Sequence, residues 1–228
     1  MKSSLTKFTM LALLASGLLA SRALGQQASA KPEEVEWTWE VRPGHVNASL
    51  PNVLLVGDSI TRNYYPEVQR ELVDEANVYL FAASTSVGDP RLRHELLEFA
   101  SMERVPFRVV HFNNGMHGWT YTEDEYRAAF PGYLRALHKV APKATFLWGS
   151  ITPVKAEDKP GPTNARIEER NKIALSFVRP AGIAVDDQYQ LMTHHGDQYA
   201  DHVHFNAAGA VIQGQQATQL IRAALVRK

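Results

Sequence analysis

The sequence predicts an α/β fold, a three-layer α/β/α sandwich around a central parallel sheet of about five strands. Three observations predict it. Five short runs rich in β-branched and aromatic residues are almost continuously apolar, as suits strands buried on both faces of a sheet. Between them lie segments of helical length, several with apolar residues three and four apart. Polar residues able to do chemistry follow directly after the runs, where the carboxyl edge of a parallel sheet would put them.

The first segment of the 228-residue chain stands outside that fold. Lys2 and Lys7 lead into the apolar run Phe8 to Ala20, the pattern of a secretory signal peptide. A bilayer-spanning helix needs roughly 20 mostly apolar residues, so no stable membrane anchor is expected after cleavage. Small residues mark two cleavage positions, Ala23-Leu24-Gly25 before Gln26 and Ala28-Ser29-Ala30 before Lys31. The first is preferred, giving a signal peptide over residues 1–25 and a periplasmic or extracellular location. The sequence has no cysteine, so core burial without disulfides must hold the domain together. Removing Lys2, Lys7 and Arg22 takes the formal charge from zero to −3, which argues against a nucleic-acid partner.

Residues 26–50 are a polar N-terminal arm, except that apolar and polar residues alternate over 35–41 as in a half-buried edge strand. The main domain spans 51–228. Its expected strands are 52–57, 77–81, 108–112, 145–150 and 183–186. Its expected helices are 66–75, 90–101, 122–140, 164–178 and 207–226, with Pro131 breaking or kinking the third. No internal repeat or interdomain linker interrupts this alternation, which implies right-handed crossovers.

Four sites carry candidate chemistry. Ser59 follows the first core strand in Gly57-Asp58-Ser59, where it either attacks a substrate or simply caps a helix. Asp201 precedes His204 by three residues on the turn into the last helix, so that the carboxylate can hold Nδ1 and leave Nε2 for a serine hydroxyl. Asn113 and Asn114 end the third strand; an amide donor there suits an oxyanion, although Asn-Gly is also an ordinary turn. Gly88 lies in a loop of small residues after the second strand, either offering its backbone N–H or making the turn. His202 beside His204, with His194 and His195 nearby, admits a metal reading, but no ligand set of recognisable spacing completes it. No metal and no organic cofactor are expected.

Taken together, these blocks resemble the SGNH (GDSL-like) hydrolase superfamily over about residues 50–225. Gly57-Asp58-Ser59 matches its first block, Gly88 its second, and Asp201 with His204 its last, while Asn113 holds the asparagine position of the third. That third block departs from the family, because His111 and Asn114 replace its glycine and its aspartate. The resemblance implies a flavodoxin-like SGNH fold and an esterase with Ser59 as nucleophile, His204 as base and Asp201 orienting it. The oxyanion hole it implies comprises the N–H groups of Ser59 and Gly88 and the side chain of Asn113.

His117, Trp119 and Tyr121 are candidate substrate-binding residues, the two aromatics as a surface for a sugar ring or as rim packing. The expected substrate is a small-molecule or polysaccharide ester with a short acyl group, a carbohydrate acetate foremost. A lysophospholipase-type lipid esterase, a non-catalytic carbohydrate-binding protein of the same fold, and a metallohydrolase are the alternatives.

Overall fold

The computed structural model describes residues 29–226, so the expected signal peptide, residues 1–25, lies outside the described residues. Six strands form one sheet: β1 (Thr38–Val41), β2 (Asn52–Gly57), β3 (Asn77–Ala83), β4 (Phe107–Phe112), β5 (Thr145–Gly149) and β6 (Ala184–Asp186). Their order is β1-β3-β2-β4-β5-β6, with β1 antiparallel to β3 and every other pairing parallel. The five parallel strands therefore have flavodoxin-like order, and the switch point lies between β2 and β4. Helices α1 (Ser59–Glu71), α2 (Arg91–Glu103), α3 (Glu123–Val140), α4 (Asn164–Val178), α5 (Gln188–Thr193) and α6 (Ala207–Leu225) complete the described chain.

Burial on both faces explains the continuous apolar strands. Val53 and Leu55 of β2 face one core with Ile60, Val68, Ala217 and Ile221 of α1 and α6. Leu54 and Val56 face the other, with Leu96 and Phe99 of α2, Phe130 and Tyr133 of α3, and Ile173 of α4. The first of these cores sets the site, because it holds α6 against α1. A Cβ at Gly214 would lie 2.7 Å from the Cβ of Glu67, so the two helices approach at a residue without a side chain.

Several elements depart from expectation. Helix α1 begins at Ser59 and not at 66, because the Asp58 side chain accepts the Ile60 N–H and caps it; Pro66 then lies inside the helix. Helix α3 continues through Pro131, its start secured by a capping box between Thr122 and Glu125. The six-residue α5 was not foreseen; it is too short to show a period, and Asp187 caps it.

Beneath the carboxyl edge, His111 Nε2 lies 2.7 Å from Asp186 Oδ2, and neither side chain is exposed. Gln188 and Gln216 also donate to the Asp186 carboxylate, at 2.9 and 2.7 Å. The space that the His111 ring needs is found on the next strand. A Cβ at Gly149 would lie 3.1 Å from His111 Cε1. Asp186→Ala would leave the buried His111 Nε2 without its acceptor and take one from Gln188, which keeps the Gln213 carbonyl, and one from the half-buried Gln216, so a loss of about 3 kcal/mol in unfolding free energy is expected by chemical denaturation.

Candidate active site

Ser59 stands at the first position of α1, directly beyond β2 and at the switch point. The turn is tight: a Cβ at Gly57 would fall 2.0 Å from Thr61 Oγ1, so only glycine fits. Asp58, fully buried, accepts from the Ile60 N–H at 3.0 Å through Oδ1 and from the Met116 N–H at 3.4 Å through Oδ2. One carboxylate thus caps α1 and ties the loop after β4 to the turn that presents Ser59.

The turn before α6 brings His204 to Ser59. His204 Nε2 lies 2.7 Å from Ser59 Oγ, and His204 Nδ1 lies 2.8 Å from Asp201 Oδ2. A carboxylate only accepts, so Nδ1 carries the proton and Nε2 is left to accept from the serine hydroxyl. Oδ1 of Asp201 accepts the N–H groups of Val203 and His204, both at 2.7 Å. Burial acts to raise the Asp201 pKa, but these two backbone bonds and the His204 ring outweigh it and hold the carboxyl down at about 2. The turn is closed by a Tyr199–Phe205 bridge and by Asn206, which caps α6 through the Gly209 N–H. Ser59, His204 and Asp201 are brought together from opposite ends of the domain, because α1 and α6 pack on the same core.

The oxyanion side differs from expectation at one residue. Gly88 follows β3 and lies over the Tyr121 ring, where a Cβ would meet Cγ at 2.6 Å. Asn113, expected to offer its amide to an oxyanion, instead donates both Nδ2 hydrogens to the carbonyls of Gly149 and Ser150, at 2.9 and 3.1 Å. Both partners are carbonyl oxygens, which fixes the NH2 toward them. Asn113 therefore binds the end of β4 to the end of β5. Asn114 has a stitching role that sequence reasoning missed. It accepts from the Val87 N–H at 2.9 Å and donates to the Thr85 carbonyl at 3.0 Å, fixing the Gly88 loop.

Of the two readings open for Trp119 and Tyr121, a surface for a sugar ring or rim packing, the contacts of both favour packing. Tyr121 is only 2% exposed and its hydroxyl accepts the Lys31 N–H at 2.6 Å, so its ring packs the interior. Trp119 donates Nε1–H to the Met116 carbonyl at 2.6 Å, and the Arg170 guanidinium lies 4.0 Å from its ring centre. Its rim-packing role follows from the buried Arg170, which also binds the carbonyls of Gly115, His117, Gly118 and Tyr121. His117 binds Glu33 of the arm, at 2.9 Å from Nδ1 to Oε2. Nothing in the sequence marks Glu33, whereas an acid directly before the serine that opens a helix is a capping signature for Asp58.

Beside His204 opens a cleft of about 620 Å³, with Glu157, Asp158, Pro162, Asp201 and His202 among its walls. Among the described residues, no three His, Asp or Glu side chains are grouped to hold a metal ion.

No family model and no curated protein sequence matches the chain. Solved structures do match in fold. A member of the lipolytic protein G-D-S-L family from Veillonella parvula superposes with a TM-score of 0.61 at 17% identity, covering 75% of this chain and 98% of that one. A carbohydrate esterase family 3 structure from Talaromyces cellulolyticus gives 0.61 at 17%, covering 78% and 100%. An acetyl xylan esterase, AlAXEase, gives 0.58 at 15%, covering 75% and 99%. The chain has the fold of these GDSL, or SGNH, proteins. Within that fold its own residues assemble a Ser-His-Asp constellation at the topological switch point.

Proposed function

We propose that the chain is a carboxylic ester hydrolase working through an acyl-enzyme. The observation that carries this reading is the chain of contacts from Ser59 Oγ to His204 Nε2 at 2.7 Å and from His204 Nδ1 to Asp201 Oδ2 at 2.8 Å. His204 takes the serine proton as Oγ attacks the ester carbonyl, and Asp201 stabilises the imidazolium that forms. The tetrahedral oxyanion accepts from the N–H groups of Ser59 and Gly88. His204 then protonates the leaving alcohol, and a water activated by the same ring releases the acid.

The substrate we propose is a short-acyl ester of a neutral carbohydrate, an acetate foremost, met outside the cytoplasm after export. Two of the similar structures are named as an acetyl xylan esterase and a carbohydrate esterase, which supports this class. The cleft supports it independently. Among the described residues, its walls carry Glu157, Asp158 and Asp201 and neither Lys nor Arg, while Ala156, Pro162 and Val203 are its only aliphatic members. Carboxylates suit the hydroxyls of a polyol and oppose an anionic leaving group. So few apolar walls offer little of the roughly 0.8 kcal/mol available per buried methylene of a longer acyl chain.

Turnover of aryl acetate in the presence of EDTA, falling from acetyl to octanoyl esters, is the expected result. An acetylated neutral oligosaccharide should also be hydrolysed faster than an acetylated uronate. A preference for octanoyl esters would move the reading to a lipid esterase, and loss of activity in EDTA would move it to a metallohydrolase.

A further inference from the structure

We propose that the N-terminal arm contributes a positioning residue to the nucleophile: Glu33 sets the Ser59 turn through His117, Gly118, Met116 and Asp58. The inference rests on the serine-hydrolase reading and extends it to a segment that lies 26 positions before the nucleophile.

The path consists of hydrogen bonds. Both oxygens of Glu33 are engaged on one turn, Oε2 by His117 Nδ1 at 2.9 Å and Oε1 by the Gly118 N–H at 2.8 Å. Gly118 has φ of +68°, and a Cβ there would lie 2.2 Å from Ser86 Oγ, so the turn is sharp and depends on glycine. Two residues before Gly118, the Met116 N–H reaches Asp58, whose other oxygen caps α1 at the residue after Ser59. Arm contacts elsewhere reach the segment that carries Gly88 and the loop after β4. Glu36 accepts from Ser84 Oγ at 2.6 Å and from Arg91 at 2.9 Å, and Lys31 donates its backbone N–H to Tyr121.

Charge gives the path a purpose. Asp58 is wholly buried and accepts from only two backbone N–H groups among the described residues, so a nearby cation stabilises it. His117 is placed to be that cation. Burial alone would lower its pKa, but the Glu33 hydrogen bond and the charges of Asp58, Glu33 and Glu36 outweigh burial and raise it above 6.5. Arg170 of α4 faces the same turn, donating to the carbonyls of His117 and Gly118, and Trp37 packs edge-on against the ring at 5.7 Å. His117 Nε2 is enclosed with no hydrogen-bond partner among the described residues, as is Ser86 Oγ beside Gly118. Two unpartnered polar atoms at one turn fit a segment held for a function other than packing.

The experiment is kinetic, with aryl acetate as substrate and Glu33→Gln, Glu33→Asp and His117→Gln as variants. Glu33→Gln is expected to lower kcat by about tenfold or more with KM within about twofold, since a displaced turn misplaces the attacking oxygen and not the cleft. Glu33→Asp should recover part of the loss. In the wild type, kcat/KM should fall as pH rises through the raised pKa of His117, and this alkaline limb should vanish in His117→Gln. An active wild type with unchanged kcat in Glu33→Gln below its melting temperature, or an alkaline limb that survives in His117→Gln, overturns the inference and leaves the hydrolase reading standing. A wild type inert both to aryl esters and to covalent labelling by a fluorophosphonate overturns the hydrolase reading and this inference with it.

Discussion

Replacing Ser59 by Ala is expected to reduce kcat on aryl acetate by at least about 10⁴-fold, since removal of a triad serine leaves only binding and oxyanion stabilisation. The fold should survive. Among the described residues, Ser59 contributes a single side-chain hydrogen bond, to His204 Nε2, and Ala is well suited to the first turn of α1. The change in unfolding free energy should stay within about 1 kcal/mol. A variant keeping more than about a tenth of wild-type kcat would remove Ser59 as nucleophile.

Asp201→Asn should be nearly as damaging, with a loss of about 10³ to 10⁴ in kcat. The reason is the tautomer. Oδ1 of Asp201 accepts two backbone N–H groups, from Val203 and His204, and an Asn must keep its oxygen on that side to go on accepting them. Its NH2 then faces His204 Nδ1, which is forced to accept, and the ring proton moves to Nε2, where it cannot take the proton of Ser59. Asp201→Ala leaves the ring free to adopt either tautomer, so Asn is expected to be the worse of the two. If Ala proved the more damaging, support of the turn through the backbone bonds would outweigh control of the ring. Rates for both variants, with circular dichroism to confirm the fold, decide between these outcomes.

The parts of the fold legible in sequence are those whose cause is local. Strand β2 shows itself because Val53 to Val56 are buried on both faces, leaving no polar residue to break the run. Helix α4 keeps the expected bounds, Asn164–Val178, since Thr163 caps it and Ile167, Ala174 and Val178 fall on its buried face. The expected start of α1 falls seven residues late, because Pro66 resembles a helix start whereas the Asp58 cap lies inside the Gly57-Asp58-Ser59 turn. Pro131 suggested a break that the capping box of α3 and the burial of Phe130 and Tyr133 do not permit.

The site divides along the same line. Residue types and spacings by themselves determined that a serine follows the first parallel strand, that a carboxylate lies three residues before a histidine ahead of the last helix, and that the fold places both at one edge of a sheet. An i to i+3 spacing on a turn is a local property, and a chain of that length can report it. Tertiary structure alone decided which donors remain free and which are used. Asn113 turns its amide to Gly149 and Ser150 because β5 ends beside it, and Tyr121 lies under Gly88 because the arm and α4 enclose its loop. Glu33 reaches His117 across 84 positions of sequence. A hydrogen bond between residues so distant depends on how several elements pack at once, and no period or motif along the chain encodes it.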